Sequence, residues 1–107
     1  MQSKFYFIGH RGTRADYDEN SLIAFEKAIE SGANFIEFDL RKSKDDEIIV
    51  IHDSSINRTT NGTGKLKKLS LPEIKKFKMK INEGQIPLLS EVLDTFKNKI
   101  KFMVESK

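Results

Sequence analysis

Residues 34–40, Asn-Phe-Ile-Glu-Phe-Asp-Leu, alternate with a period of two. An extended strand is the conformation that gives such a run two consistent faces. Ile36, Phe38 and Leu40 fall on one side, and Phe35, Glu37 and Asp39 on the other. A turn at Lys44-Asp45-Asp46 follows, and then an apolar run, Ile48 to Ile51, leads into His52-Asp53. Only seven residues separate the two runs, whereas a parallel crossover takes a dozen or more. The pair is therefore expected to be antiparallel, an excursion that returns His52 to the level of Asp39.

Around this pair the chain alternates strand and helix signals. Residues 5–9 form an apolar run ending at Gly9, as in a strand buried on both faces. After a polar loop, Asn20 or Ser21 can cap a helix whose apolar stripe is Leu22, Phe25, Ala28 and Ile29. Gly32 stands just past its end, where a left-handed residue is wanted. Residues 54–68 read as a loop rich in Asn, Thr, Gly and Lys. Ser70-Leu71-Pro72-Glu73 fits a capping box for a short helix to about Phe77. Leu89, Val92, Leu93 and Phe96 mark another amphipathic helix, and Phe102 to Glu105 a last strand. The order is the opening of an α/β fold, with polar residues where strands run out into loops.

Composition narrows the classes. There is no cysteine, which removes disulfide frameworks and thiolate metal sites and is compatible with a reducing compartment. The Phe5–Ile8 run is too short for a signal-peptide core and far too short for a membrane span, so a cytoplasmic setting is expected. The basic excess, net +3, is carried mostly by lysine in the stretches 65–80 and 97–107. Solvated surface explains such runs. Nucleic-acid binding would want arginine and aromatics on one face, whereas the aromatics here sit at apolar-periodic positions.

Glu37 and Asp39 share a strand face about 6.6 Å apart along the backbone, beside apolar neighbours. Exposure on the wet side of the sheet would relieve two such anions; so would a divalent cation, and an all-oxygen donor set favours Mg²⁺ or Ca²⁺ over zinc. Glu105, at the end of another apolar strand, adds a third acid and shifts the balance towards the cation. His10 ends the first strand and His52 the excursion, and these are the only two histidines. A single histidine at a strand end is ordinarily structural. Two of them beside candidate metal ligands suit general acid and general base work near neutral pH. Arg11 offers a planar fork to a phosphate, and Lys107 a point charge. The loop Arg58 to Gly64 lacks the spacing of a nucleotide cradle and reads as a turn-rich loop.

Taken in order, His10-Arg11-Gly12, Glu19-Asn20, Ala24-Phe25, Gly32-Ala33, Ile36-Glu37-Phe38-Asp39, Lys44-Asp45, Ile49-Val50-Ile51-His52-Asp53, Arg58-Thr59-Thr60, Ile86-Pro87 with Leu89, and Glu105 with Lys107 resemble the glycerophosphodiester phosphodiesterase family. The resemblance spans essentially the whole chain. Asp18 replaces the usual proline before Glu-Asn, Ser21 and Ser43 replace threonines, Asp46 stands where glycine is usual, and Ser106 where an aliphatic residue is common.

The resemblance implies a TIM-type (β/α) barrel with a small insertion, here about residues 53–87, after the second strand. It implies that Glu37, Asp39 and Glu105 hold one divalent cation, that His10 and His52 are the acid–base pair, and that Arg11 and Lys107 contact the phosphate. The small-molecule substrate would be a glycerophosphodiester, released as glycerol 3-phosphate and an alcohol. A sibling phosphodiesterase, such as a phosphatidylinositol-specific phospholipase or a sphingomyelinase D, is an alternative. So is a non-catalytic remnant that binds a phosphodiester, a metal or a partner chain. A barrel of this type takes about 250 residues, and these 107 supply its first three parallel strands and two of its helices. Residues 1–107 are therefore expected to form an incomplete barrel domain that needs further chain or self-association to cover its edges.

Overall fold

The computed structural model describes residues 8–10 and 17–106, and the side chains of 17–104. The elements run β1 (Ile8–His10), α1 (Leu22–Glu30), β2 (Phe35–Lys42), β3 (Ile48–Val50), α2 (Leu71–Lys75), α3 (Leu89–Phe96) and β4 (Lys101–Ser106). One 3₁₀ turn, Leu66–Lys68, lies within the expected loop. The short helix after Ser70 stops at Lys75, two residues before its expected end.

Strand β2 is the axis. It pairs parallel with β1 and parallel with β4, and its outer end pairs antiparallel with β3. Ile36 has partners in both β1 and β4, and Leu40 in both β3 and β4. Strands β1 and β3 therefore share one edge of β2, and β4 takes the other. The three parallel strands and the antiparallel excursion match the expected layout.

The local chemistry accounts for the ends of these elements. In α1, Ser21 accepts a hydrogen bond from the Ala24 amide and caps the helix. At the other end Gly32 has φ +96°, with Gly32 N–H donating to Ile29 O and Ala33 N–H to Ala28 O. That 6→1, 5→2 pair is a Schellman motif, which needs a left-handed residue at Gly32. The β2–β3 turn closes with Asp46 N–H donating to Ser43 O and Ser43 N–H to Glu47 O, and Asp46 takes φ +62°, a region that favours glycine. Aspartate tolerates this region better than most side chains.

Alternation along β2 sorts its side chains. Ile36 and Phe38 are fully buried, and they pack with Phe25 of α1, Val92 and Phe96 of α3, and Val50. Phe25 lies 5.7 Å from Phe38 and 6.2 Å, edge-on, from Phe96, while Phe38 stacks edge-on with Phe102 at 5.8 Å. Each such ring contributes about 1.5–3 kcal/mol by burial. A second cluster, Ile49, Ile51, Ile56, Leu66, Ile74 and Ile86, joins β3 to the 53–87 segment and gives that segment its own small core.

That segment is tied back to the rest by carboxylates that cap backbone N–H groups. Asp18 accepts from the Ile81 and Asn82 amides at 2.7–3.2 Å, and its own N–H donates to Asn82 Oδ1. Asp45 accepts from the Leu71 amide at the start of α2 and from the Ser43 hydroxyl. Inside the insertion, Gly62 faces the Phe77 ring, and a Cβ there would meet ring carbons at 2.4–2.7 Å. Gly84 has nothing within 4 Å of the same position. Gly62→Ala is therefore expected to destabilise the intact protein by about 1–3 kcal/mol through overpacking, and Gly84→Ala to stay within about 0.5 kcal/mol. Urea denaturation of the two variants side by side checks this; equal midpoints would contradict it.

Candidate functional site

The site begins with the register of β2. His10 of β1 pairs with Glu37, and Glu105 of β4 pairs with Asp39. Adjacent strands run about 4.8 Å apart, so the Glu105 backbone stands level with that of Asp39. Beyond β3, the Ile51 amide donates to Asp39 O at 3.0 Å, which sets Ile51 opposite Asp39 and brings His52, the next residue, to within one residue of the expected level. The backbone thus gathers five of the seven residues singled out from the sequence at one end of the sheet. The side chains of His10 and Glu105, and the whole of Arg11 and Lys107, lie outside the described residues.

Asp39 is 3% exposed and Glu37 half-buried. Asn20, φ +56° and also buried, donates from Nδ2 to Asp39 Oδ2 at 3.3 Å. Its Oδ1 has no hydrogen-bond partner among the described residues. An unsatisfied buried carbonyl beside a carboxylate is costly, and a cation would satisfy it. Carboxylate and amide oxygens are the donors a hard divalent ion takes; among the described residues alone, no three His, Asp or Glu side chains form a metal-holding group. In the sequence Asn20 stood out only as a helix cap and within the Glu19-Asn20 pair of the family pattern; Ser21 takes the cap and leaves the amide to the site.

A second missed feature is the environment of His52. Its Nδ1 lies 2.8 Å from Asp53 Oδ1, and its carbonyl accepts from Arg41 Nε at 2.7 Å. Arg58 grips Asp53 with Nε (2.8 Å) and Nη2 (3.0 Å), and grips Glu19 with Nη1 (2.9 Å) and Nη2 (2.8 Å). The remainder of the Arg58–Gly64 loop bonds to neighbouring loop backbone: Asn61 exchanges hydrogen bonds with Lys78, and Thr59 O accepts from the Lys80 amide. Thr60 Oγ1 donates to Ile56 O and accepts from Gly62 N–H, and the Gly64 amide donates to Asn57 Oδ1. This is the turn-rich loop expected, apart from its first residue. An arginine bridging two acids far apart in sequence leaves no periodic signal.

The Arg58 guanidinium holds the Asp53 carboxyl well below the usual carboxylate range; partial burial opposes this and the His52 hydrogen bond adds to it. Glu19, and then Asp53, push the Arg58 pKa further up. Next to these groups Tyr17, Glu19, Arg58, Thr59, Lys80 and Ile81 border an open cleft of about 620 Å³.

The sequence profile of the glycerophosphoryl diester phosphodiesterase family matches residues 10–107. The chain belongs to this family. It is 42% identical over 103 residues to a glycerophosphodiester phosphodiesterase of Bacillus altitudinis, covering 91% of this chain and 42% of that protein. A glycerophosphodiester phosphodiesterase of Thermotoga maritima superposes with a TM-score of 0.84 at 36% identity, over 99% of this chain and 46% of that one. An Oleispira antarctica phosphodiesterase, solved in complex with the product sn-glycerol-3-phosphate, superposes at 0.89 with 28% identity, over 95% of this chain and 44% of that one. The chain therefore spans under half the length of the relatives it matches. Among the described residues no helix is long and apolar enough to cross a membrane.

The depressed Asp53 pKa has a definite sense. The stability its ion pair contributes is complete above the ordinary value of 3.8 and is lost only as pH falls through the lower folded value. A ¹³C titration of the Asp53 carboxyl in the intact protein should show no inflection near 3.8, and Arg58→Ala should raise the midpoint back towards it. A wild-type midpoint at the ordinary value would refute the clamp.

Proposed function

We propose that the protein hydrolyses glycerophosphodiesters to glycerol 3-phosphate and an alcohol, with a divalent cation, and that this chain carries the acid–base pair and the cation ligands. The observation that carries the reading is the convergence at one end of the sheet: His10 in register with Glu37, Glu105 in register with Asp39, and His52 following Ile51, whose amide bonds to Asp39 O. Membership of the family and the product-bound relative support the choice of substrate class. The parallel β1–β2–β4 arrangement supports a TIM-type barrel of which these are the first three strands, with further chain closing it.

Glu37, Asp39 and Glu105 would hold the cation, Mg²⁺ or Ca²⁺, with the Asn20 carbonyl as a further oxygen beside them. When bound, such an ion stabilises charge on phosphate oxygens and acidifies an attacking hydroxyl. The residues of the chain then manage protons and charge. One of His10 and His52 takes the proton of the attacking hydroxyl, either water or the glycerol 2-hydroxyl. The other gives a proton to the departing alkoxide as its bond to phosphorus breaks. Attack by the 2-hydroxyl leaves a cyclic phosphate that water opens in a second step, and both routes end at glycerol 3-phosphate. Arg11 and Lys107 balance the negative charge that builds on the phosphoryl oxygens. The unbroken span of family features favours this reading over a sibling phospholipase or a non-catalytic remnant.

Alcohol release from glycerophosphocholine by the intact protein tests the reading. Chelation should abolish it and Mg²⁺ or Ca²⁺ restore it. His10→Ala or His52→Ala should each lower kcat by about 10²–10⁴. Asp39→Asn should weaken cation binding measured by titration calorimetry in the absence of substrate. Turnover that persists in EDTA and in both histidine variants would overturn the assignment.

A further inference from the structure

We propose that Arg58 is the positioning residue for His52, acting through Asp53 and anchored on Glu19; this rests on the reading of His52 as an acid–base group. Four N–H bonds of one guanidinium are committed to two carboxylates. On the Asp53 side Nε and Nη2 take one oxygen each, which fixes the plane of the carboxylate. Asp53 Oδ1 is then left pointing at His52 Nδ1, 2.8 Å away.

This geometry dictates the tautomer. An ionised carboxylate only accepts, so the hydrogen lies on Nδ1 of His52. Nε2 then carries the lone pair and is the atom through which a proton is exchanged. The ring is held from its backbone as well, by the Arg41 hydrogen bond to the His52 carbonyl. On the other side of Arg58, Glu19 is 8% exposed and precedes Asn20, whose amide donates to Asp39. A single side chain thus couples the β3 exit, which carries His52, to the segment before α1, which reaches the β2 carboxylates.

A purely stabilising role fits these observations less well. The bidentate bridge contributes some stability, but Arg58 is itself 51% exposed and stability alone does not require a fork aimed at the neighbour of His52. Fixed bidentate geometry on the neighbour of an acid–base histidine contributes to orientation instead, a kind of support whose loss costs about 10–100-fold in activity.

The test uses Arg58→Ala and Arg58→Lys in the intact protein. Both should lower kcat about 10–100-fold while KM stays within about threefold, because the lysine keeps the charge and loses the fork. Added guanidinium should restore part of the kcat of Arg58→Ala. Independently of turnover, ¹⁵N NMR of the His52 ring should report the Nδ1–H tautomer in the wild type, a mixture in Arg58→Ala, and recovery with guanidinium. Unchanged kcat and an unchanged tautomer in both variants would overturn the proposal. So would a loss unresponsive to guanidinium, with His52 still in the Nδ1–H form. A wild-type protein that releases no alcohol would sink the hydrolase reading instead, and the ring tautomer would still decide the role of Arg58.

Discussion

The hydrogen-bonded register of β2 on both of its edges governs the rest of the structure. Once Ile36 is paired with both β1 and β4, a slip of one residue would turn Phe38 to the wet face and Asp39 into the apolar cluster. The burial of Phe25, Phe38 and Phe96 forbids that slip. The same packing that stabilises the sheet thus brings His10, Glu37, Asp39 and Glu105 to common levels. Glu37 and Asp39 on one partly buried strand face are electrostatically unfavourable, and the fold tolerates them because the apolar side of the same strand holds it in place.

A second layer of organisation comes from carboxylates that bind backbone or guanidinium groups across long sequence separations. Asp18 clasps the 81–82 turn, Asp45 the start of α2, and Glu19 and Asp53 share Arg58. Lys75 also bridges the insertion to α3, donating to Glu91 at 2.6 Å and to Ile86 O. Individually, exposed contacts of this type are weak. Together they set where the 53–87 segment sits against the strand ends, and so where His52 and its supporting groups come to rest. Asp18 is of interest because its carboxylate accepts from two consecutive backbone amides, Ile81 and Asn82, more than sixty residues away.

Much of this was legible before any coordinates. The antiparallel excursion followed from a linker too short for a crossover, and the caps of α1 and α2 from Ser21, Gly32 and the Ser70–Glu73 box. The paired acids on β2 followed from period-two alternation. Legibility failed where partners are distant and non-periodic. Asn20 read as a capping residue because that is the local role its side chain can play; the fold gave the cap to Ser21 and turned the amide to Asp39. Arg58 read as part of a turn because its loop is rich in Thr, Asn and Gly and lacks the spacing of a nucleotide cradle, and nothing local marks a guanidinium for carboxylates 39 and 5 residues away.

By itself the sequence determined which strands and helices form, their order, the face on which the acids lie and the family to which the chain belongs. Those properties depend on periodicity, turn chemistry and caps, all of which act between near neighbours. Tertiary structure alone decided the levels at which separate strands meet, the pairing of Asn20 with Asp39, and the bridge from Glu19 through Arg58 to Asp53 and His52. Such contacts depend on the relative placement of whole elements, and that is settled by the packing of the aromatic core and the backbone register, which no short stretch of chain encodes.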